Sequence, residues 1–471
     1  MSLILPGNVA SALPTGYDVD NSCRFDDGSS AKLTQTFGTP TTANKFTLSF
    51  WIKRSSFQIG TNTQNILNTE TGNLEEVIRF EEQDRLHIFF QNSAGAQTAS
   101  VKPLFQFRDP AAWYHIVIGI DTTQSTDTDR FKFWVNGSRL TVFTTTSYVS
   151  QNYTLRFNTA VEHEFGVRKS GAYLDAYIAE LVYIDGQQLD ADQFGEYDDD
   201  SPQIWKPVDV SGLTFGNNGF YCDFADSGDL GDDESGNGND WTESGLAATD
   251  QSVDTPTNNF CTLNPLYKQD HAFSENNLGY TSSDSDWDSA PSTFGASSGK
   301  WYVEMKVTGD ASGVTRSVLG ICDERDGNLV AESEFGLTSS IAGDTVGYSS
   351  GDAHKNSSAD SGSFDTFAIN DIIGMYVDLD NGKVYFSKNG SMQNSGDPTS
   401  GSTGTGAISI TTGKTYLFGT TGYGGGASQM NFGTPPYAVS SGNQDPNGYG
   451  NFEYGTQNYY ALCTKNLAEF G

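Results

Sequence analysis

The chain has 471 residues, with 59 Asp and Glu against 26 Lys and Arg, giving a formal charge of -33. A single core stops growing near about 250–300 residues, so at least two domains are expected. The charge argues against nucleic acid as a partner, since phosphate backbones would be repelled, and no apolar run of about 18 residues supports membrane insertion.

Aromatic residues at 13%, 52 glycines and only 18% charged residues fit an all-β chain with many turns. Cys23, Cys222, Cys261, Cys322 and Cys463 are odd in number and widely scattered. They read as reduced, buried thiols of a protein made in a reducing cytoplasm. The start, MSLILPGNVASALPTG, has no Lys or Arg before Arg24 and is broken at Pro6, so a signal peptide is not expected. Residues 1–22 read as a short arm of turn-forming residues that could serve as an attachment segment.

Strands begin at Cys23. In KFTLSFWIKR, Phe46, Leu48, Phe50 and Ile52 share one face, the alternation of a half-buried strand. GNLEEVIRFEEQ, RLHIFFQN and AYIAELVYIDG are further strands, separated by turns. The clearest pair lies in FRDPAAWYHIVIGIDTTQSTDTDRFKFWVNGSRL, residues 107–140. Tyr114, Ile116, Ile118 and Ile120 form one face of its first strand, and Phe131, Phe133 and Val135 one face of its second. Asn136-Gly137 then closes a tight turn, because Gly accepts positive φ without penalty.

At these residues the chain resembles the laminin-G/concanavalin-like jelly-roll family. The fuller set, with Arg108, Asp109, Trp113, Tyr114, His115, Asp121 and Asn136-Gly137, resembles a version found in virion proteins of marine, cyanophage-type bacteriophages. The jelly roll is assigned to residues 23–197.

Residues 190–254 carry seventeen Asp or Glu against Lys206 alone, yet also Trp205, Phe215, Phe220, Tyr221, Phe224 and Trp241. Aromatics at that density need burial, so 198–272 reads as an ordered acidic connector between domains. Its strings GNNGFYCDFADSGDLGDDESGNGNDW and DTPTNNFCTLNPL are similar to the connector of the same phage proteins.

A second sandwich is placed at 273–433. GKWYVEMKV and the hairpin IIGMYVDLDNGKVYFSKNG alternate cleanly. With Asn431-Phe432-Gly433 and the Gly299 to Tyr302 stretch, they resemble the SPRY family, a compact β-sandwich that usually binds through its loops. GDAHKNSSADSGSFD and SKNGSMQNSGDPTSGSTGTG read as mobile tips of that kind. The tail, 434–471, ends in an aromatic cluster that suggests packing against a neighbouring domain or subunit.

Catalytic chemistry has little support. A glycoside hydrolase needs a carboxylate pair at fixed separation. Glu75, Glu76, Glu81 and Glu82, or Glu162 with Glu164, are the nearest groups, and a solvated strand face explains them as well. His87, His115, His163, His271 and His354 form no zinc-binding pair. No catalytic residue is therefore assigned.

Two binding sites are weighed. Asp226, Asp229, Asp232, Asp233, Asn237, Asn239 and Asp240 supply oxygen ligands that suit calcium, although a solvated acidic loop held by Gly turns explains them too. Calcium is the one cofactor considered. Trp134 points away from the Phe131/Phe133/Val135 face and could stack on a sugar ring; core packing is the competing reading.

The resemblance implies a non-enzymatic structural protein on the virion exterior, a fibre, knob or decoration of capsid or tail. It implies other virion proteins, a host-surface glycan and a homotrimeric self-assembly as partners. The alternatives are a tail-associated receptor-binding lectin or a glycan-cleaving enzyme. The expected architecture is all-β, with two antiparallel β-sandwiches joined by the connector.

Overall fold

The computed structural model of the chain describes residues 16–471 apart from 58–62, 169–170, 268–270, 284–285, 311–314, 325–334, 337–343, 357 and 360–361. It is nearly all β, as expected, and divides into two compact units. Among the described residues, one unit runs to Thr257; the other is Asn258–Gly471. Most of the N-terminal arm, 1–15, lies outside the described residues.

The strands of the first unit are, in chain order, β1 (Ser22–Phe25), β2 (Lys32–Thr36), β3 (Lys45–Arg54), β4 (Gln64–Thr71), β5 (Leu74–Glu81) and β6 (Arg85–Gln91). Then come β7 (Gln97–Pro103), β8 (Trp113–Asp121), β9 (Phe131–Val135), β10 (Ser138–Arg139), β11 (Phe143–Ser147), β12 (Glu162–Phe165) and β13 (Ala176–Asp185). The last five are β14 (Gly195–Tyr197), β15 (Trp205–Pro207), β16 (Phe220–Cys222), β17 (Thr242–Ser244) and β18 (Gln251–Ser252).

Two eight-stranded antiparallel sheets result. The first runs β10-β9-β8-β3-β13-β1-β18, with β16 also pairing β13; the second runs β11-β7-β6-β5-β4-β12-β2-β17. The predicted alternation is what packs them. Phe46, Leu48, Phe50 and Ile52, Ile116, Ile118 and Ile120, and Phe131, Phe133 and Val135 all enter one core with Ile78, Phe80, Ile88 and Phe90 of the second sheet. Asn136 and Gly137 have φ of 47° and 73°, the two positive values that a tight hairpin turn requires.

The stretch that reads as a connector is built into this unit as far as Thr257, and the rest of it into the other. β16 pairs β13, β17 pairs β2 and β18 pairs β1, so it lengthens both sheets. Of its aromatics, Phe220, Phe224 and Trp241 enter the main core between the sheets, whereas the outer face of the first sheet receives the others, with Trp205 partly buried. Phe194, Val210, Phe215 and Tyr221 pack there on Val117, Trp134, Val182 and Ile184. Buried Asp254 anchors the far end, meeting Lys53 Nζ at 2.7 Å and Trp113 Nε1 at 3.0 Å.

The second unit is another two-sheet antiparallel sandwich. One sheet orders its strands as His271–Ser274, Gly279–Ser282, Ala427–Asn431, Lys300–Gly309, Ile372–Asp378, Lys383–Lys388 and Ser391–Met392, with Ile408–Ser409 beside Lys383–Lys388. The other orders Trp287–Ala296, Tyr416–Tyr423, Ser317–Asp323, Thr345–Ser349, Asp352–Lys355 and Ser358–Ala359. The hairpin read at 372–388 forms in the expected register, Ile373 opposite Lys388 and Asp378 opposite Lys383.

Two expectations for this unit change. The tail packs on its own sandwich: Phe452, Tyr459, Ala461 and Cys463 cover Tyr302, Tyr376 and Tyr385. Buried Glu304 fastens it, accepting the N–H groups of Glu453 and Tyr454 at 3.1 and 2.8 Å. The Ser/Gly-rich stretch 387–406 is folded rather than loose, since Ser391–Met392 pairs into the sheet and Asp397 caps Thr399 N–H at 2.9 Å. Much of 351–365 is also described, with Asp352–Lys355 a strand; residues 357, 360 and 361 lie outside the described residues.

Candidate functional site

The outer faces of the two sheets in the first unit differ. Along β5, β6 and β7, residues 78, 80, 86, 88, 90, 99 and 101 point into the core, so the intervening positions point out. Register places Arg79 opposite His87, and Val77 opposite Phe89, which in turn faces Ser100. Arg79, Glu81, His87, Phe89, Ser100 and Lys102 therefore share one outward patch.

These groups are hydrogen-bonded to one another. The Glu81 carboxylate accepts from Arg79 Nη2 at 2.9 Å and also meets Lys102 Nζ and His87 Nδ1. Ser100 Oγ lies 2.9 Å from His87 Nε2. A neutral imidazole with Nδ1 on a carboxylate carries its proton there, leaving Nε2 to accept the Ser100 hydroxyl. Burial, with Arg79 close by, lowers the His87 pKa to about 3, so the ring stays neutral. The Arg79 guanidinium sits over the half-buried Phe89 ring, 5.2 Å from its centroid.

The same face continues across β4 and β12. Arg168 grips Glu75 through two nitrogens at 2.6–2.9 Å, the planar fork that suits carboxylates. Glu164 accepts from Asn68 at 2.9 Å and Lys32 at 3.4 Å.

Ser100, His87 and Glu81 have the connectivity of a nucleophile, base and orienting acid. Their electrostatics point elsewhere. Arg79 and Lys102 already balance Glu81, so a proton arriving on His87 would add a third positive charge to one carboxylate; burial and then Arg79 hold the His87 pKa low. Glu81 and Glu164 do not form a hydrolase pair either. Glu164 is two strands from Val77, and Val77 is four residues from Glu81, a backbone separation of about 16 Å. Glycosidase carboxyls stand roughly 5–9.5 Å apart. What the patch offers is a set of fixed donors and acceptors beside one aromatic ring.

The other carboxylates scatter. Glu76 points inward beneath β5, where burial raises its pKa to about 7 and its carboxylate accepts Phe157 N–H at 2.9 Å. Glu82 lies exposed in the β5–β6 turn, and Glu162 is exposed on β12. His163 is buried, stacked on Phe37 with centroids 3.8 Å apart. His115 is buried between Trp51 and Trp205.

Trp134 is not placed to bind sugar. It does point away from the Phe131/Phe133/Val135 face as read, but that side is roofed by 194–221 and the ring is 6% exposed. A sugar would have no free ring face to stack on.

The acidic residues weighed for calcium are turned to the backbone. Asp226 accepts Gly228 N–H at 2.8 Å, and Asp229 accepts Gly231 N–H at 3.3 Å. Asp233 accepts N–H groups of Tyr221, Ser235 and Asn239 at 2.8–2.9 Å, and Asp240 accepts that of Asp233 at 3.2 Å. Asn237 and Asn239 each donate to the Gly219 carbonyl. Desolvation, followed by the like charges of Asp240 and Asp229, raises the Asp232 pKa. Among the described residues no group of three or more His, Cys, Asp or Glu could hold a metal ion. Hydrogen bonds from the chain itself organise this loop.

The sequence reading reached Glu81 as one of several carboxylates but missed Arg79, His87, Phe89, Ser100 and Lys102. The signal was available: polar residues recur at every second position in three successive strands, where the opposite positions are apolar.

Residues 26–193 match the model of a family described as the concanavalin A-like lectin/glucanases superfamily. Curated proteins give no match to the chain. Among solved structures, the SPRY domain of human HERC1 is similar at 15% identity, covering 36% of this chain and 96% of that one, with a TM-score of 0.28. A heptameric SAP-like pentraxin from Limulus polyphemus follows at 16% identity, 38% and 82% coverage and a TM-score of 0.28. A putative carbohydrate binding protein from Bacteroides ovatus matches at 13% identity, 49% and 59% coverage and a TM-score of 0.32.

Proposed function

We propose that this chain is a non-enzymatic structural protein of a phage particle's exterior that contacts host-surface glycan through the outer face of β5, β6 and β7. The observation that carries the glycan part is the polar network around Phe89. Sugar hydroxyls are recognised by a few fixed polar groups next to an apolar or aromatic surface, and Arg79, Glu81, His87, Ser100 and Lys102 hold one another in place before any ligand arrives. The family description for residues 26–193, which names lectins and glucanases, supports that reading. The balanced charge around Glu81 and the neutral His87 favour binding over turnover. The particle assignment rests on the resemblance of the 107–140, 216–241 and 254–266 strings to virion proteins, and the SPRY likeness of the second sandwich rests on its own strings. A face of this size gives weak single contacts, which many copies on one particle would turn into avidity.

The test is a glycan array probed with the full chain, alongside Phe89→Ala. The expected outcome is binding by the native chain and its loss in the variant, with melting unchanged. A blank array for the native chain overturns the glycan reading. An antibody against 434–471 that labels no purified particle overturns the virion reading.

A further inference from the structure

The second sheet of the first unit ends in two edges of opposite character. At one end lies β17, in the acidic stretch that includes Asp226, Asp229, Asp232, Asp233 and Glu243. At the other lies β11, whose residues Thr144, Thr145, Thr146 and Ser147 are all exposed. β11 pairs β7 on one side, and no described strand pairs its other side. A bulge at Phe143/Thr145 leaves Thr145, Thr146 and Ser147 in regular register.

Edge strands are normally protected by charge, Pro or a covering loop. β11 has no charged residue and no Pro, and residues 130–161 contain no Asp or Glu, with Arg130, Lys132, Arg139 and Arg156 as the charged residues. Beside it stands an exposed apolar group: Val142 is 60% exposed, Leu104 46% and Phe105 37%. Leu104 N–H donates to the Val142 carbonyl at 2.9 Å, which ties two of them together.

From this we infer that β11 is a self-association edge, at which a second copy of this chain adds its own β11 in antiparallel register. Charge selects the occupant. Two bodies of -33 repel over most of their surfaces, so two copies approach most easily where acid is absent. An uncharged Thr/Ser edge is also self-complementary: antiparallel pairing about a two-fold axis sets threonines opposite one another, and Thr–Thr pairs are favourable across strands. Val142, Leu104 and Phe105 flank the strand and would be covered in the same contact. β17 is closed to such pairing by its own acids.

The consequence is geometric. Pairing β11 with β11 makes one sheet that runs through both copies, so the two Phe89 faces lie on one continuous surface. An isologous contact of this kind yields a dimer and cannot close a cyclic trimer. The inference stands independently of the glycan reading, because it concerns the strand edge and not the polar face.

Light scattering on the purified full chain should give a dimer mass. Thr146→Lys, which places charge on the edge, should shift it to monomer with unchanged melting. Paired residues across antiparallel strands have Cα atoms about 4.5–5.5 Å apart, within the roughly 4.4–6.8 Å span of a disulfide. Under mild oxidation, at least one of Thr144→Cys, Thr145→Cys and Thr146→Cys should therefore yield a linked dimer, while Thr242→Cys on β17 should not. The five native cysteines are buried and do not compete. A monomer or trimer mass for the native chain, or linkage at Thr242→Cys as readily as on β11, overturns the inference.

Discussion

The two sheets of the first sandwich share one core yet finish their outer faces in opposite ways. The first sheet lays Val117, Trp134, Val182 and Ile184 against a roof of Phe194, Val210, Phe215 and Tyr221. The second leaves β5, β6 and β7 carrying Arg79, Glu81, His87, Ser100 and Lys102 in a mutual network. An outward aromatic therefore means different things on the two sheets. Trp134 is structural because chain covers it, whereas Phe89 keeps part of its ring accessible among polar partners.

Four expected outcomes sharpen that contrast, taken from the largest effect to the smallest. Asp254→Ala should be the most damaging, because it removes the buried carboxylate that ties the end of the unit to Lys53 and Trp113 of the first sheet. Breaking a buried pair from one side costs about 3–5 kcal/mol, readable by denaturant titration; a change under about 1 kcal/mol would mean the Asp254 contacts do not hold this end of the unit.

The next outcome concerns pH. Glu180 occupies the bulge of β13 with φ of 49° and accepts the Tyr221 hydroxyl at 2.9 Å. Burial pushes its pKa up from 4.5 to about 8. A raised carboxyl binds its proton more tightly folded than unfolded, so its contribution to stability is complete below about pH 4.5 and is lost as pH rises through 8. Glu180→Gln should flatten the fall in stability between pH 5 and 8, measured by melting at several pH values, and an unchanged slope would show that Glu180 is not its source.

Smaller still, Ser100→Ala should cost about 1 kcal/mol by removing one hydrogen bond to His87, checked by chemical denaturation. Phe89→Ala should change stability by no more than about 0.5 kcal/mol, as expected for a surface change.

Much of this fold is legible in sequence because its strands alternate. Ile116, Ile118 and Ile120 and the hairpin at 372–388 can be oriented from period two alone, and Asn136-Gly137 marks its turn by chemistry that few residues can meet. What could not be read is which outward face is covered. The roof over Trp134 comes from residues 60–87 positions away, and its strands β14, β15 and β16 are too short, at three residues each, to show a period. The acidic composition of that stretch fits calcium and a loop held by turns alike; its carboxylates accept turn N–H groups, and of its aromatics Phe215 and Tyr221 seal the first sheet while Phe220, Phe224 and Trp241 enter the main core. The candidate site was hidden for a related reason: Arg79, His87 and Ser100 are brought together by register between three strands, and none of them forms a motif in the chain.

The most direct test of the account is glycan binding by the full chain compared with Phe89→Ala and Trp134→Phe, each variant first shown to melt as a folded protein. The account predicts that Phe89→Ala abolishes binding while Trp134→Phe retains it. Binding that survives Phe89→Ala, or fails with Trp134→Phe, would contradict the assignment of the β5–β7 face as the contact surface.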